Sequence, residues 1–86
     1  MVNKNDPFKT DKPLYDKKIK YDVTKLPKEL QDYIKELEEY DKDGDWFNYD
    51  IKFDEFEMIA KGYRRRNIIS DYDYKTLLAK YGWLYD

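Results

Sequence analysis

The chain has 86 residues, with 17 Lys+Arg against 19 Asp+Glu, a formal charge of −2, and neither Cys nor His. Those absences exclude disulfide staples, zinc sites of the usual Cys/His kind, thiol catalysis and a Ser-His-Asp hydrolase. No apolar run approaches the ~18–20 residues of a membrane span, and no signal-peptide core follows Met1, so a single-domain, soluble, cytoplasmic protein is expected.

Residues 1–25 read as a basic arm, with seven lysines, four aspartates, Pro7 and Pro13. Apolar residues are sparse there, and the composition is that of a solvated segment, extended or disordered. Ile19, Tyr21 and Val23 alternate with Lys20 and Asp22, a pattern that suits a short extended stretch lying on helices. The remaining 26–86 reads as an all-α, three-helix domain.

The first helix is predicted over about 27–41. Thr24 can cap it, and Pro27 fits the first turn, where a missing N–H costs nothing. Leu26, Leu30, Tyr33, Ile34, Leu37 and Tyr40 recur at three- and four-residue steps, and Gly44 supplies the stop. Asp45 then caps a second helix over about 46–66, whose residues Trp46, Tyr49, Phe53, Phe56, Ala60 and Tyr63 form a heptad-like seam. Phe47, Ile51 and Met58 form a second apolar line more than a third of a turn away. A helix apolar on two faces is expected to be central, with a neighbour on each side. The alternative is an exposed stripe that pairs the chain with a second copy. Asn67 is placed to leave this helix in the left-handed conformation, and Ile68 and Ile69 read as a buried link. Ser70 and Asp73 form a capping box for a third helix over 71–81, burying Tyr74, Leu77, Leu78 and Tyr81, with Gly82 as its stop. Trp83, Leu84 and Tyr85 are expected to fold back onto the bundle.

Three patterns bear on function. Asp41-Lys42-Asp43-Gly44-Asp45 resembles the opening of an EF-hand calcium loop, with carboxylates at positions one, three and five. The match then fails, because Trp46 replaces the Gly of position six and Lys52 replaces the bidentate Glu of position twelve. A calcium-responsive module is therefore a minor alternative, and no metal or other cofactor is expected. Arg64, Arg65 and Arg66 form a basic cluster between helices that resemble a helix-turn-helix in outline. Together with the lysine-rich arm they make nucleic-acid binding the principal alternative. Against it, the start of the would-be recognition helix is Asp71-Tyr72-Asp73, which repels phosphate, and the arginines already suit a helix C-terminus.

The third pattern is the charge distribution. From Pro27 to Gly62 there are twelve acidic and five basic side chains, an acidic middle between basic ends. Such a surface can occupy the positive channel of a nucleic-acid-handling enzyme. The plainer reading is a solvated face laced with pairs such as Asp32–Lys35 and Lys35–Glu39. Catalysis has little support, since acid–base histidine and a Gly-rich phosphate loop are both missing and a small helical domain has little room for a ligand cavity of ~300 Å³.

Leu26-Pro27-Lys28-Glu29-Leu30-Gln31 through Gly44-Asp45-Trp46-Phe47-Asn48-Tyr49-Asp50, with Ile68-Ile69-Ser70 to Tyr81-Gly82, resembles small helical proteins of bacterial phages and mobile elements. That resemblance implies a setting in which small acidic proteins inhibit host defence enzymes, anti-CRISPR proteins among them. The expected function is non-enzymatic protein binding through Glu36, Glu39, Tyr40, Asp41, Asp43, Asp45 and Trp46, with no membrane partner. Homo-oligomerisation through Phe47, Ile51 and Met58 is the further possibility.

Overall fold

The computed structural model of the chain describes residue 10 and residues 12–82. It is an all-α fold of three helices: α1 Lys28–Asp43, α2 Trp46–Arg65 and α3 Asp71–Tyr81. Among the described residues no helix is long and apolar enough to cross a membrane. The tail Trp83–Tyr85, expected to fold back, lies outside the described residues.

The helix ends follow local chemistry. Gly44 adopts φ 66°, a conformation cheap only for glycine, and its N–H closes α1 on the Asp41 and Tyr40 carbonyls. Asp45 accepts from the Asn48 N–H to open α2. Asn67, at φ 60°, turns the chain after α2. Ser70 and Asp73 form the reciprocal capping box of α3. The start of α1 departs from expectation. Thr24 does not cap it; its hydroxyl and N–H both bind Asp22 within a 3₁₀ turn, Val23–Lys25. Pro27 occupies the cap position with no side-chain bond, and Gln31 reaches back to the Leu26 carbonyl at 2.8 Å.

The three helices share one core. Leu30, Ile34 and Leu37 of α1, Tyr49, Phe53, Phe56 and Ala60 of α2, and Tyr74, Leu77 and Tyr81 of α3 are all buried in it. α2 makes the principal contacts with both α1 and α3. It does so through one face, however. Phe47, Ile51 and Met58 are 44%, 48% and 73% exposed, so the second line does not receive a neighbouring helix. The reason is geometric: the Tyr49–Ala60 seam serves α1 and α3 together. Similarly, only Ile69 of the Ile68–Ile69 link is buried, and Leu78 is half-buried.

The largest difference from expectation lies in the arm. Residues 12–25 do not float in solvent. They form an irregular strap, ending in the 3₁₀ turn Val23–Lys25, that connects α1 with α3. The Thr10 N–H binds the Gly44 carbonyl at the α1–α2 turn, and the Asp16 N–H binds the Lys80 carbonyl near the end of α3. Leu14 enters the core and is 1% exposed. Tyr15 packs on Tyr81 with ring centroids 5.2 Å apart. At the far end the Tyr21 hydroxyl donates to Asp73 at the start of α3. The strap is needed because α1 and α3 both lean on α2 and leave apolar surface between them.

Lys80 holds the middle of the strap. It is 9% exposed, and its ammonium donates to the Asp16 carbonyl at 3.3 Å and the Ile19 carbonyl at 2.5 Å. The rings of Tyr15 and Tyr81 lie 5.4 and 5.6 Å from it, which offsets part of the lost hydration. Burial nevertheless lowers its pKa from the ordinary lysine value.

Leu14→Ala is expected to destabilise the fold by about 2–4 kcal/mol, as for a large-to-small change in a packed core. Urea unfolding checks this; a loss under about 0.5 kcal/mol would be that of a solvated arm residue.

Candidate functional site

Four of the seven residues singled out for partner binding line one open groove. The strap and the outer side of α1 enclose a volume of about 720 Å³, bounded by Tyr15, Lys17, Lys35, Glu36, Glu38, Glu39, Tyr40, Asp41 and Lys42. A ligand-sized depression therefore exists on this small domain, contrary to the size argument, because the strap builds a wall that helices alone do not. Asp43, Asp45 and Trp46 lie outside it, at the adjoining turn.

Asp41 anchors the groove. Its side chain is only 8% exposed and receives the Lys17 ammonium at 2.9 Å and the Leu14 N–H at 2.8 Å. The bond to Asp41 and the attraction of its charge hold Lys17 above the ordinary lysine pKa. Asp41 is thus a structural carboxylate that fixes the strap to α1, with little of it left for a partner. The Tyr15 hydroxyl is raised first by burial and then by the negative charge of Glu38.

The remaining carboxylates are more accessible. Glu36 pairs with Lys52 of α2 at 3.4 Å but keeps half its side chain exposed. Glu39 pairs with Lys42 at 3.6 Å, an exposed pair of small energetic weight. Asp32 pairs with Lys28 at 2.6 Å. These pairs replace the Asp32–Lys35 and Lys35–Glu39 pairs expected from spacing, because Lys28 and Lys42 stand within reach of the same acids. Asp43 is exposed. Asp45 accepts from both the N–H and the side-chain amide of Asn48, at 3.1 and 2.6 Å, and Trp46 is 36% exposed with its ring edge-on to Phe47.

The calcium-like carboxylates do not converge. Asp41 faces back to the strap and Asp45 faces forward to cap α2. Among the described residues no group of three or more Asp or Glu side chains is gathered for a metal ion. Lys52, at the position of the missing bidentate Glu, is an interhelical clasp between Glu36 and Glu55.

The arginine cluster is divided between tasks. Arg64 binds Asp71 at 3.1 Å and lies 4.5 Å from the Tyr74 ring, joining α2 to α3. Bonds from Lys75 and Arg64 lower the Asp71 carboxyl. Arg66 stacks 4.8 Å from Tyr63 and reaches the Gly62 carbonyl. Arg65 is exposed.

A second polar node was not expected from the sequence. Asp73 receives the Ser70 N–H, the Tyr21 hydroxyl and the Lys25 ammonium. Partial burial opposes its charge, but the bonds from Ser70, Lys25 and Tyr21 prevail and bring its pKa down to about 2. Only the Ser70 partnership has a sequence signal, the capping box. Tyr15 and Lys17 in the groove were also missed. Their one signal is the apolar pair Leu14-Tyr15 after Pro13, a brief interruption in a lysine-rich arm.

The chain matches no protein-family model, no curated protein and no solved structure.

Two measurements follow from these nodes. Asp41→Ala leaves the Leu14 N–H without its acceptor and frees Lys17; a loss of about 1–3 kcal/mol in urea unfolding is expected, with faster proteolysis at the strap. For Asp73 the folded-state pKa of about 2 lies below the ordinary 3.8. Its stabilising contribution is therefore complete above about pH 4 and is lost as the pH falls towards 2. Thermal unfolding of Asp73→Asn should show a lower midpoint at pH 6 and a flatter decline than the parent through that acid window.

Proposed function

We propose that this chain is a non-enzymatic protein-binding module whose strap–α1 groove and acidic rim engage a positively charged surface, such as the phosphate-binding channel of a nucleic-acid-handling complex. In the phage or mobile-element setting that the sequence resembles, such binding would inhibit a host defence enzyme. The observation that carries this reading is the juxtaposition of Glu36, Glu38 and Glu39 with the rings of Tyr15 and Tyr40 around one groove, where Lys17 is paired with Asp41 and Lys42 with Glu39, leaving Lys35 as the one lining lysine outside an ion pair among the described residues.

That combination suits lysine and arginine side chains. Carboxylates on the rim attract the cationic head and speed encounter. Aromatic faces accept the head or its aliphatic stem. Tyrosine supplies contact area at low conformational cost, one reason it is enriched at binding hot spots. Asp41 contributes indirectly by holding Tyr15 and Lys17 in place.

The test is charge reversal confined to Glu36, Glu39 and Asp43, because a change at Asp41 would also disturb the strap. Host proteins captured by the parent at low salt are expected to fall by roughly tenfold with the reversed variant, and to fall with added salt. Equal capture by both variants, with no salt dependence, would exclude this surface. Retarded migration of nucleic acid by the purified parent, steeply weakened by salt, would instead favour direct phosphate binding.

A further inference from the structure

The outer face of α2 carries a charge pattern that the fold itself does not use. Asp54, Lys61 and Arg65 are exposed on it, and half-buried Asp50 and Glu57 flank it on the side towards the buried seam. None of these five takes part in an ion pair among the described residues, whereas the acids and bases of α1 and α3 are mostly paired. Glu57 and Lys61 stand four residues apart, the favourable order for a helix pair, and still do not form one. Asp50 is half-buried, and its carboxyl is raised first by that burial and then by the charge of Asp54 one turn away.

Apolar residues run between these charges. At 100° per residue Ile51, Asp54, Met58, Lys61 and Arg65 fall on the side of the helix opposite the buried Tyr49–Ala60 seam. Ile51 is 48% and Met58 73% exposed. Gly62 lies on the same side, and a Cβ added there would meet nothing within 4 Å. Glycine inside a helix costs up to about 1 kcal/mol relative to alanine. No contact within the chain requires that glycine, and a small residue allows a second helix to approach closely.

We propose that this face pairs antiparallel with the same face of a second copy of the chain. The pattern is complementary to itself only in that direction. With the two-fold axis between residues 57 and 58, Asp50 of one copy faces Arg65 of the other and Asp54 faces Lys61, twice over. Ile51 and Met58 supply the seam, and Gly62 faces the turn between Ile51 and Asp54 of the other copy. A parallel pairing in register would set Asp50 and Asp54 against their own copies and is repelled. A two-fold interface needs this self-complementarity. A single helix pair lies at the low end of specific interfaces, below about 1,200 Å² in total, so the dimer is expected to be weak and concentration-dependent. The pairing is independent of the groove on α1.

Sedimentation equilibrium from about 10 μM to 1 mM tests it, across the range where weak dimers form. The weight-average mass should rise from 10.7 kDa towards twice that value. Met58→Glu should remain monomeric, with an unchanged circular dichroism spectrum because the side chain is exposed. The double variants Asp50→Lys/Asp54→Lys and Lys61→Glu/Arg65→Glu should each be monomeric alone and should form a heterodimer when mixed. A spin label at Asn48→Cys, in a chain with no other cysteine, should report about 28 Å between copies, against about 10 Å for a parallel pair. A monomer throughout the range, a dimer insensitive to Met58→Glu, no heterodimer on mixing, or the short label distance would each overturn the proposal.

Discussion

The single apolar seam on α2 is the constraint from which the rest of this fold follows. Tyr49, Phe53, Phe56 and Ala60 must serve α1 and α3 at the same time. Two helices leaning on one stripe leave uncovered apolar surface between them, and among the described residues no fourth helix covers it. The strap meets that need with Leu14, which contributes a core side chain from an otherwise polar segment. Once the strap lies there, its backbone groups need partners, and Asp41, Lys80 and Asp73 supply anchors along its length.

Tyrosine has a specific part in this construction. An aromatic-rich composition first suggests a binding surface, and some of it belongs to one. Much of it, however, consists of rings that pack against the core while a hydroxyl joins a neighbouring element. Tyr49 donates to the Tyr81 carbonyl, Tyr63 to Glu29 and Tyr21 to Asp73, at 2.7, 2.8 and 2.9 Å. Each bond crosses between elements distant in sequence. Among the described residues no buried side-chain nitrogen or oxygen lacks a partner. A small domain without disulfides gains definition from such bonds, because each ties together two elements far apart in sequence.

The same contacts sort the charges into two groups. Asp41, Asp73, Lys80 and Arg64 are committed to joining elements, and Arg66 to the end of α2. Glu38, Glu39, Asp43, Asp54, Lys61 and Arg65 remain directed outward, around the groove on α1 and along the outer face of α2. A net charge of −2 conceals both the acidic middle and this division. Asp41 illustrates the difficulty of reading it in advance. Its place in an acidic run suggests a partner contact, yet its bond to the Leu14 N–H spans 27 positions in sequence, and no periodicity encodes it.

What could be read from the chain was whatever acts within about four residues. The three helices, the glycine stop at Gly44, the left-handed Asn67, the Asp45 cap and the Ser70–Asp73 capping box all depend on neighbours in sequence, and they were legible with boundaries within two residues. The α2 seam was equally legible over Tyr49, Phe53, Phe56 and Ala60, but not at its ends, where Trp46 is exposed and Tyr63 only half-buried. Which of two apolar lines on α2 meets another helix was not, since that depends on where α1 and α3 dock. The groove was legible in part, as the acidic residues of α1, but its opposite wall was hidden in a segment whose composition resembles a solvated arm. Burial of Leu14, Tyr15 and Lys80 is decided by surface left bare between helices, and that surface exists only once the helices have packed.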